Sequence, residues 1–476
     1  MQNEMTQPSL YRALDDRPAV SRREVSPAFD GNEGFAFILG YTPLLWLAGL
    51  LPFCTPLMLV VSFIRQCCWK HLKDPAVSGW FLIAASQMLS TSLAWSETAE
   101  GVGQLFYRFL SAPVSGWIFL GMLVAVGKEL KLGSDRLSRA VAMLGLYILV
   151  LGAPLLIVGR YSGITDLEWL TPIGHLIPSS LPSAQFEFTA QFLIPDDFVG
   201  QTMPRLVLFY PWPTCLGFAG ATIFFICLTR KRGFLTYAGA SGGAFATLAS
   251  TSRAAVLGTL IGVVVYAILR LPQGKRPFVV LGIITTLLVC LCLPMAFLTD
   301  PLTLIQETAQ SVSGLRQDSS DAREQLYAET RRQIAKYPYL GHGWQGDILE
   351  DTIPLNIGSH STIYGLLYTG GVLTLVPFVL TALIAGSKIF SNAVRGSNRE
   401  QAALSIFIVL MVMCFGECIY SFAIPVFFSF LWIGSCLGAR TTELSTEIVS
   451  SKEYPKRYGA RLGSACYLQI EHETQR

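Results

Sequence analysis

Residues 34–64 read GFAFILGYTPLLWLAGLLPFCTPLMLVVSFI, without a single Asp, Glu, Lys or Arg. A helix crosses the hydrocarbon core of a bilayer with about 20 mostly apolar residues, so this run is too long for one ordinary span. It forms either one tilted helix or two short ones broken near Pro52. The rest of the chain repeats the theme. Of its 476 residues, 52% are hydrophobic and only 14% are charged, where a soluble domain carries about 25% charged residues. That is too little charge to cover a water-facing surface. The composition excludes a soluble globular protein and predicts an all-α, polytopic integral membrane protein.

Further apolar segments lie at 76–96, 104–127, 138–159, 207–229, 234–250, 254–271, 277–298, 360–385, 401–421 and 423–439. With the opening run they give eleven or twelve transmembrane helices. Orientation follows from the Lys and Arg content of the short loops. Segments 65–73, 128–139, 230–232, 270–276 and 386–400 hold three, four, three, three and three basic residues, while the loops near 98–103 and 421–424 hold none. The first set is cytoplasmic, and twelve helices place the basic N-terminus on that side too, so about twelve is preferred. Residues 1–33, with Arg12, Arg17, Arg22 and Arg23 ahead of any apolar run, read as a polar cytoplasmic tail and not as a cleaved signal peptide. The polar stretch 440–476 is a second such tail. Between them, 34–439 form the membrane domain, with 160–206 and the large loop 299–359 outside the cytoplasm. There is no basic tract of the kind that binds nucleic acid. Most of the eleven cysteines lie in apolar segments and neither long outer loop has any, so no disulfide framework or thiolate metal site is implied.

Mid-membrane ionisable residues would mark an ion path, and almost none are present. Arg108 and Glu417 are within spans, but toward the outer side. Polar chemistry is gathered instead at the outer face, in three places. Arg253 follows Ser250-Thr251-Ser252 in a tight turn between two apolar helices. It reads either as a lipid-headgroup anchor or as an anion clamp, since a guanidinium is always charged and grips phosphate oxygens bidentately. In the loop 299–359, residues 321–336 form an amphipathic helix capped by Asp321 and ended by Pro338. Arg323, Tyr327, Thr330 and Ile334 share one face of it; Arg331, Arg332 and Lys336 are read as solvated. His360, in Gly358-Ser359-His360-Ser361, stands where this loop returns to the membrane. It is either an interfacial packing residue or a general base, because imidazole titrates near neutrality. His342, in the Gly-flanked turn Gly341-His342-Gly343, is the weaker candidate.

The pattern resembles the bacterial O-antigen ligase and polymerase superfamily of membrane glycosyltransferases. That family has Arg-x-x-x-Leu opening a helix at the periplasmic face, as Arg253 to Leu257 does. It has a second Arg beginning a helix in the large periplasmic loop, ahead of a Pro and a Gly-x-Gly turn, where Arg323, Pro338 and Gly341-His342-Gly343 stand. It then has His followed by Asn, Ser or Gln, nine residues, Gly, two residues, and Gly, Thr or Tyr; His360-Ser361, Gly371 and Thr374 fit. The resemblance covers about residues 205–385. Loop 160–206, with Trp169, His175 and several prolines, is longer than is typical of the family, and the tail 440–476 has no counterpart.

The resemblance implies transfer of a glycan from an undecaprenyl-diphosphate carrier to an acceptor hydroxyl, at the periplasmic side of the bacterial inner membrane. The acceptor would be lipid A core for a ligase, or another glycan for an O-antigen, capsule or exopolysaccharide polymerase. Arg253 and Arg323 would hold the departing diphosphate without a metal ion or cofactor, and His360 would take the acceptor proton, with inversion at the anomeric carbon. Arg205, ahead of Tyr210-Pro211-Trp212-Pro213, is a further phosphate contact, and Tyr327 and His342 are substrate-binding candidates. The rival reading is a transporter or flippase of lipid-linked saccharides.

Overall fold

The computed structural model describes residues 31–98, 101–130, 135–178, 188–198, 201–276, 279, 317–348 and 356–438. The chain is mostly helical. Its opening apolar run is broken into α1 (Gly31–Gly40), α2 (Thr42–Ala48) and α3 (Leu51–Arg65), with α2 and α3 bent by 118°. Gly49 ends α2 in the left-handed region, at φ 76, and Pro52 stands in the first turn of α3, where a missing N–H has no intrahelical partner to lose. Of the two readings of this run, the broken one is observed.

Helix α4 (Pro75–Ser96) is followed by α5 (Val102–Phe109), a π-helical stretch Leu110–Ile118 containing Pro113, and α6 (Phe119–Glu129), which continue one another. Proline inside a helix removes an N–H and forces such a local rearrangement. Then come α7 (Asp135–Ser162), α8 (Pro213–Leu228), α9 (Phe234–Ala249) and α10 (Arg253–Arg270). The last described elements are α11 (Gln317–Ile334), α12 (Thr362–Arg395), α13 (Asn398–Met413) and α14 (Phe427–Leu437). Among the described residues, four helices are long and apolar enough to cross a membrane: Val102–Glu129, Arg136–Ser162, Arg253–Arg270 and Thr362–Arg395. The bent pair α2–α3 makes a fifth if it counts as one span. The other predicted spans with described residues correspond to α4, α8, α9, α13 and α14, which are shorter or more polar than a free-standing span. All of the predicted span 277–298 but residue 279, loop residues 299–316 and 349–355, and nearly all of both tails lie outside the described residues.

One expectation is corrected. The chain is not all-α, because loop 160–206 carries an antiparallel sheet of β1 (Leu167–Leu170), β2 (Thr189–Phe198) and β3 (Gln201–Leu206), with β2 central. Pro195 stands opposite Pro204 in the β2–β3 register. Proline lacks a ladder donor and argues against a strand when read from sequence; here the two prolines share one rung.

Burial explains the packing order. Helices α8 and α14 are buried almost all round, as a helix apolar on every face must be. Small residues let neighbours approach: a Cβ on Gly239 would stand 2.7 Å from the carbonyl oxygen of Ala142 on α7, and one on Gly243 2.6 Å from the amide nitrogen of Phe224 on α8. The Gly239/Gly243 pair is therefore a packing seam. At the opposite end from Arg253, Asp74 caps α4 by accepting from the Ala76 N–H at 3.0 Å. It also binds Lys128 of α6, and Lys388 of α12 at 2.6 Å. Partial burial pushes the Asp74 carboxyl up, but the two ammonium groups outweigh it and hold the group at about 2.

Candidate active site

The turn between α9 and α10 is set by three polar residues. Thr251 takes a left-handed φ of 51 and Ser252 caps α10, its hydroxyl accepting from the Ala255 N–H at 3.3 Å. This leaves Arg253 exposed as the first helical residue. Arg205, on β3, reaches the same turn: its Nε and Nη2 both donate to the Ser250 carbonyl, at 3.0 and 2.9 Å. A planar fork on one oxygen fixes both partners. Arg205 and the Arg253 turn are thus joined, though the sheet and the turn are far apart in sequence.

The second half is built on α11. It begins at Gln317, ahead of the expected Asp321 cap, and Arg323, Tyr327 and Thr330 of the expected face dock on the turn after α13 and on the segment that leads into α12. Arg323 Nη2 lies 3.5 Å from Glu417 Oε1. Tyr327 donates its hydroxyl to the His360 carbonyl at 2.7 Å and packs its ring on Tyr364. Thr330 Oγ1 accepts the Gly358 N–H at 3.2 Å. His360 has a left-handed φ of 56, a conformation that costs a non-glycine residue energy and that the tyrosine contact helps to hold. Its ring is largely buried, and Nδ1 has no hydrogen-bond partner among the described residues. Burial, with the Arg323 guanidinium nearby, holds the imidazole down at about 4. It is neutral at neutral pH, the state a general base needs.

Glu417 connects the halves. It lies in the turn after α13, not inside a helix, and is nearly enclosed. Arg323 and Arg205 both act on its carboxylate, and Thr214 hydrogen-bonds to it. The backbone around it is tied to the start of α12: Thr362 donates its hydroxyl to the Glu417 carbonyl at 2.6 Å and accepts from the Ile419 N–H at 3.0 Å. The arrangement can bind an anion between guanidinium groups and set a neutral imidazole beside it.

Residues 238–379 match the family model described as O-antigen ligase. No curated protein matches the chain. This part of the chain is similar to the O-antigen ligase family.

The matched segment runs from α9 through much of α12, and holds Arg253, Arg323, His342, His360, Gly371 and Thr374. Its glycine spacing has a structural cause. Helix α12 breaks at Gly371, whose φ is 61, and the turn 338–343 is laid into the break. Val372 donates its N–H to the Pro338 carbonyl at 2.9 Å, His342 to Tyr368 at 2.7 Å and Gly343 to Thr369 at 2.8 Å. A Cβ on Gly371 would stand 2.3 Å from the Tyr339 carbonyl carbon. The motif that leads to His360 thus clamps the end of α11 onto α12.

His342 is placed differently from the other candidates. Its ring is stacked on Tyr368 at 4.5 Å and meets Tyr337 edge-on, and Nε2 is 3.1 Å from the Gln333 carbonyl. The structure brings Arg323, Tyr327 and His360 together and joins Arg205 to the Arg253 turn, but packs His342 into the clamp. Sequence reasoning missed Glu417 as a member of the cluster. The signal was present, a lone acid in an apolar stretch, but it was weighed only against ion transport.

Proposed function

We propose that the protein is a membrane glycosyltransferase that moves a glycan from an undecaprenyl-diphosphate carrier to an acceptor hydroxyl, as an O-antigen ligase or a polysaccharide polymerase does. The observation that carries this reading is the neutral, largely buried His360 beside Arg323, with Arg205 and Arg323 facing one carboxylate. Arg253, Arg323 and Arg205 would hold the diphosphate. The bond from the anomeric carbon to the phosphate oxygen breaks, and its electron pair leaves with the diphosphate, whose growing charge the guanidinium groups stabilise. The acceptor oxygen attacks from the opposite face and gives its proton to the His360 imidazole, so the anomeric centre inverts. Arginines supply the positive charge, so the reaction proceeds without a metal ion. Glu417 keeps Arg323 oriented until phosphate oxygens compete for it. In this reading residues 34–439 form one domain of the bacterial inner membrane, with the arginine and histidine end facing the periplasm.

The test is glycan transfer by the purified protein in EDTA, with wild type beside His360→Ala. Transfer that persists in EDTA and falls roughly 10²–10⁴-fold in the variant is expected for loss of a positioned base. An unmodified acceptor with wild type, although the donor is intact and accessible, would overturn the reading and favour a transporter of the same lipid-linked glycan.

A further inference from the structure

A chamber of about 1000 Å³ lies beside the charged cluster, at the upper end of the usual size for ligand sites, about 300–1,000 Å³. Its walls come from the α2–α3 bend, the start of the α5–α6 run, strand β2, and segments 343–348 and 420–425. It adjoins the cluster along the chain: Trp212 lines it two residues before Thr214, the partner of Glu417, and Tyr420 lines it three residues after Glu417.

The walls combine ring faces, from Trp46, Trp212 and Trp344, with side-chain amides, from Gln104, Gln191 and Asn356. A prenyl or acyl chain needs no amides. A sugar ring uses both, since its C–H face lies on an aromatic ring and its hydroxyls pair with amides. Trp344 is held in place, with the Arg108 guanidinium 3.1 Å from its ring centroid, a cation–π contact that restrains the indole. Next to it, Gln345 Nε2 donates to the Tyr420 hydroxyl at 3.0 Å. Three wall groups, Gln87 Oε1, the Tyr210 hydroxyl and Trp212 Nε1, have no hydrogen-bond partner among the described residues. Gln87 and Tyr210 are only 4% and 3% exposed.

We propose that this chamber is a saccharide site, which holds several sugar rings against Trp344 next to the arginine and histidine cluster. The proposal rests on the glycosyltransferase reading for its biological glycan, which is either the acceptor chain or the sugar part of the donor. The experiment uses the full chain in lipid nanodiscs, titrated calorimetrically with oligosaccharide fragments of the source cell's own surface polysaccharide, free of lipid and diphosphate. Saturable binding is expected, weakened about tenfold by Trp344→Ala and largely restored by Trp344→Phe. Binding that survives saturation with the lipid-linked donor assigns the chamber to the acceptor; displacement by the donor assigns it to the donor's sugars. Absence of binding by any fragment, or equal binding by Trp344→Ala, overturns the proposal. Binding without transfer would sink the glycosyltransferase reading and leave the chamber standing. Transfer whose KM for the glycan ignores Trp344→Ala would do the reverse.

Discussion

At the scale of single residues the account turns on His360. A base must be neutral, and an imidazole held at about 4 by burial and Arg323 stays neutral through the whole physiological range. The kcat/KM of the free enzyme should stay level as pH falls through 6.5, where an ordinary histidine titrates, and drop only near 4. Arg323→Gln removes one of the two causes, so the acid limb should move upward without reaching 6.5, while binding of the diphosphate donor weakens. An acid limb at 6.5 in the wild type would remove His360 from the base role. The same shift has a stability consequence of fixed sign. Between pH 6.5 and 4 the unfolded chain takes up a proton at this site and the folded one does not, so the folded state loses stability as pH falls through that window. Glu417→Gln keeps the shape but weakens the hold on Arg323. A fall in kcat/KM of about tenfold, without loss of folded protein, is expected from one misplaced charged contact.

At the scale of elements, most helices were readable from the sequence, because apolar runs bounded by basic loops leave few alternatives. What stayed hidden depended on partners that no local pattern marks. The sheet in 160–206 was masked by Pro195 and Pro204, which read as strand breakers until they are seen across one rung. The role of Arg205 depends on the Ser250 carbonyl, a backbone atom with no signature in sequence. The glycine spacing after His360 was visible as a motif, but its cause, the break in α12 that receives residues 338–343, is a tertiary fact. Gly371→Ala tests that cause. The new Cβ would meet the Tyr339 backbone at a φ that disfavours side chains, and backbone cannot rotate away. A loss of about 3 kcal/mol or more is expected from strain plus collision, read as a lower melting temperature in detergent. At the far end, Asp74→Ala removes both a helix cap and the partner of Lys128 and Lys388. A loss of at least about 1 kcal/mol is expected from the cap alone, with activity per folded molecule unchanged.

At the scale of the whole molecule, the two ends of the bundle have different tasks. One end is pinned by Asp74, Lys128 and Lys388, and the other gathers Arg323, Glu417 and a neutral His360 where α11, the start of α12 and the 414–421 turn meet, with Arg205 reaching from β3 to the turn before α10. Buried α8 and α14 lie in the core of the bundle. The central claim is a single displacement at that cluster, with the diphosphate held by arginines and the acceptor proton taken by His360. The most direct test is the anomeric configuration of the product, read by NMR after one round of transfer from a donor of known configuration. Inversion is predicted. Retention would require a covalent glycosyl intermediate and would contradict the account.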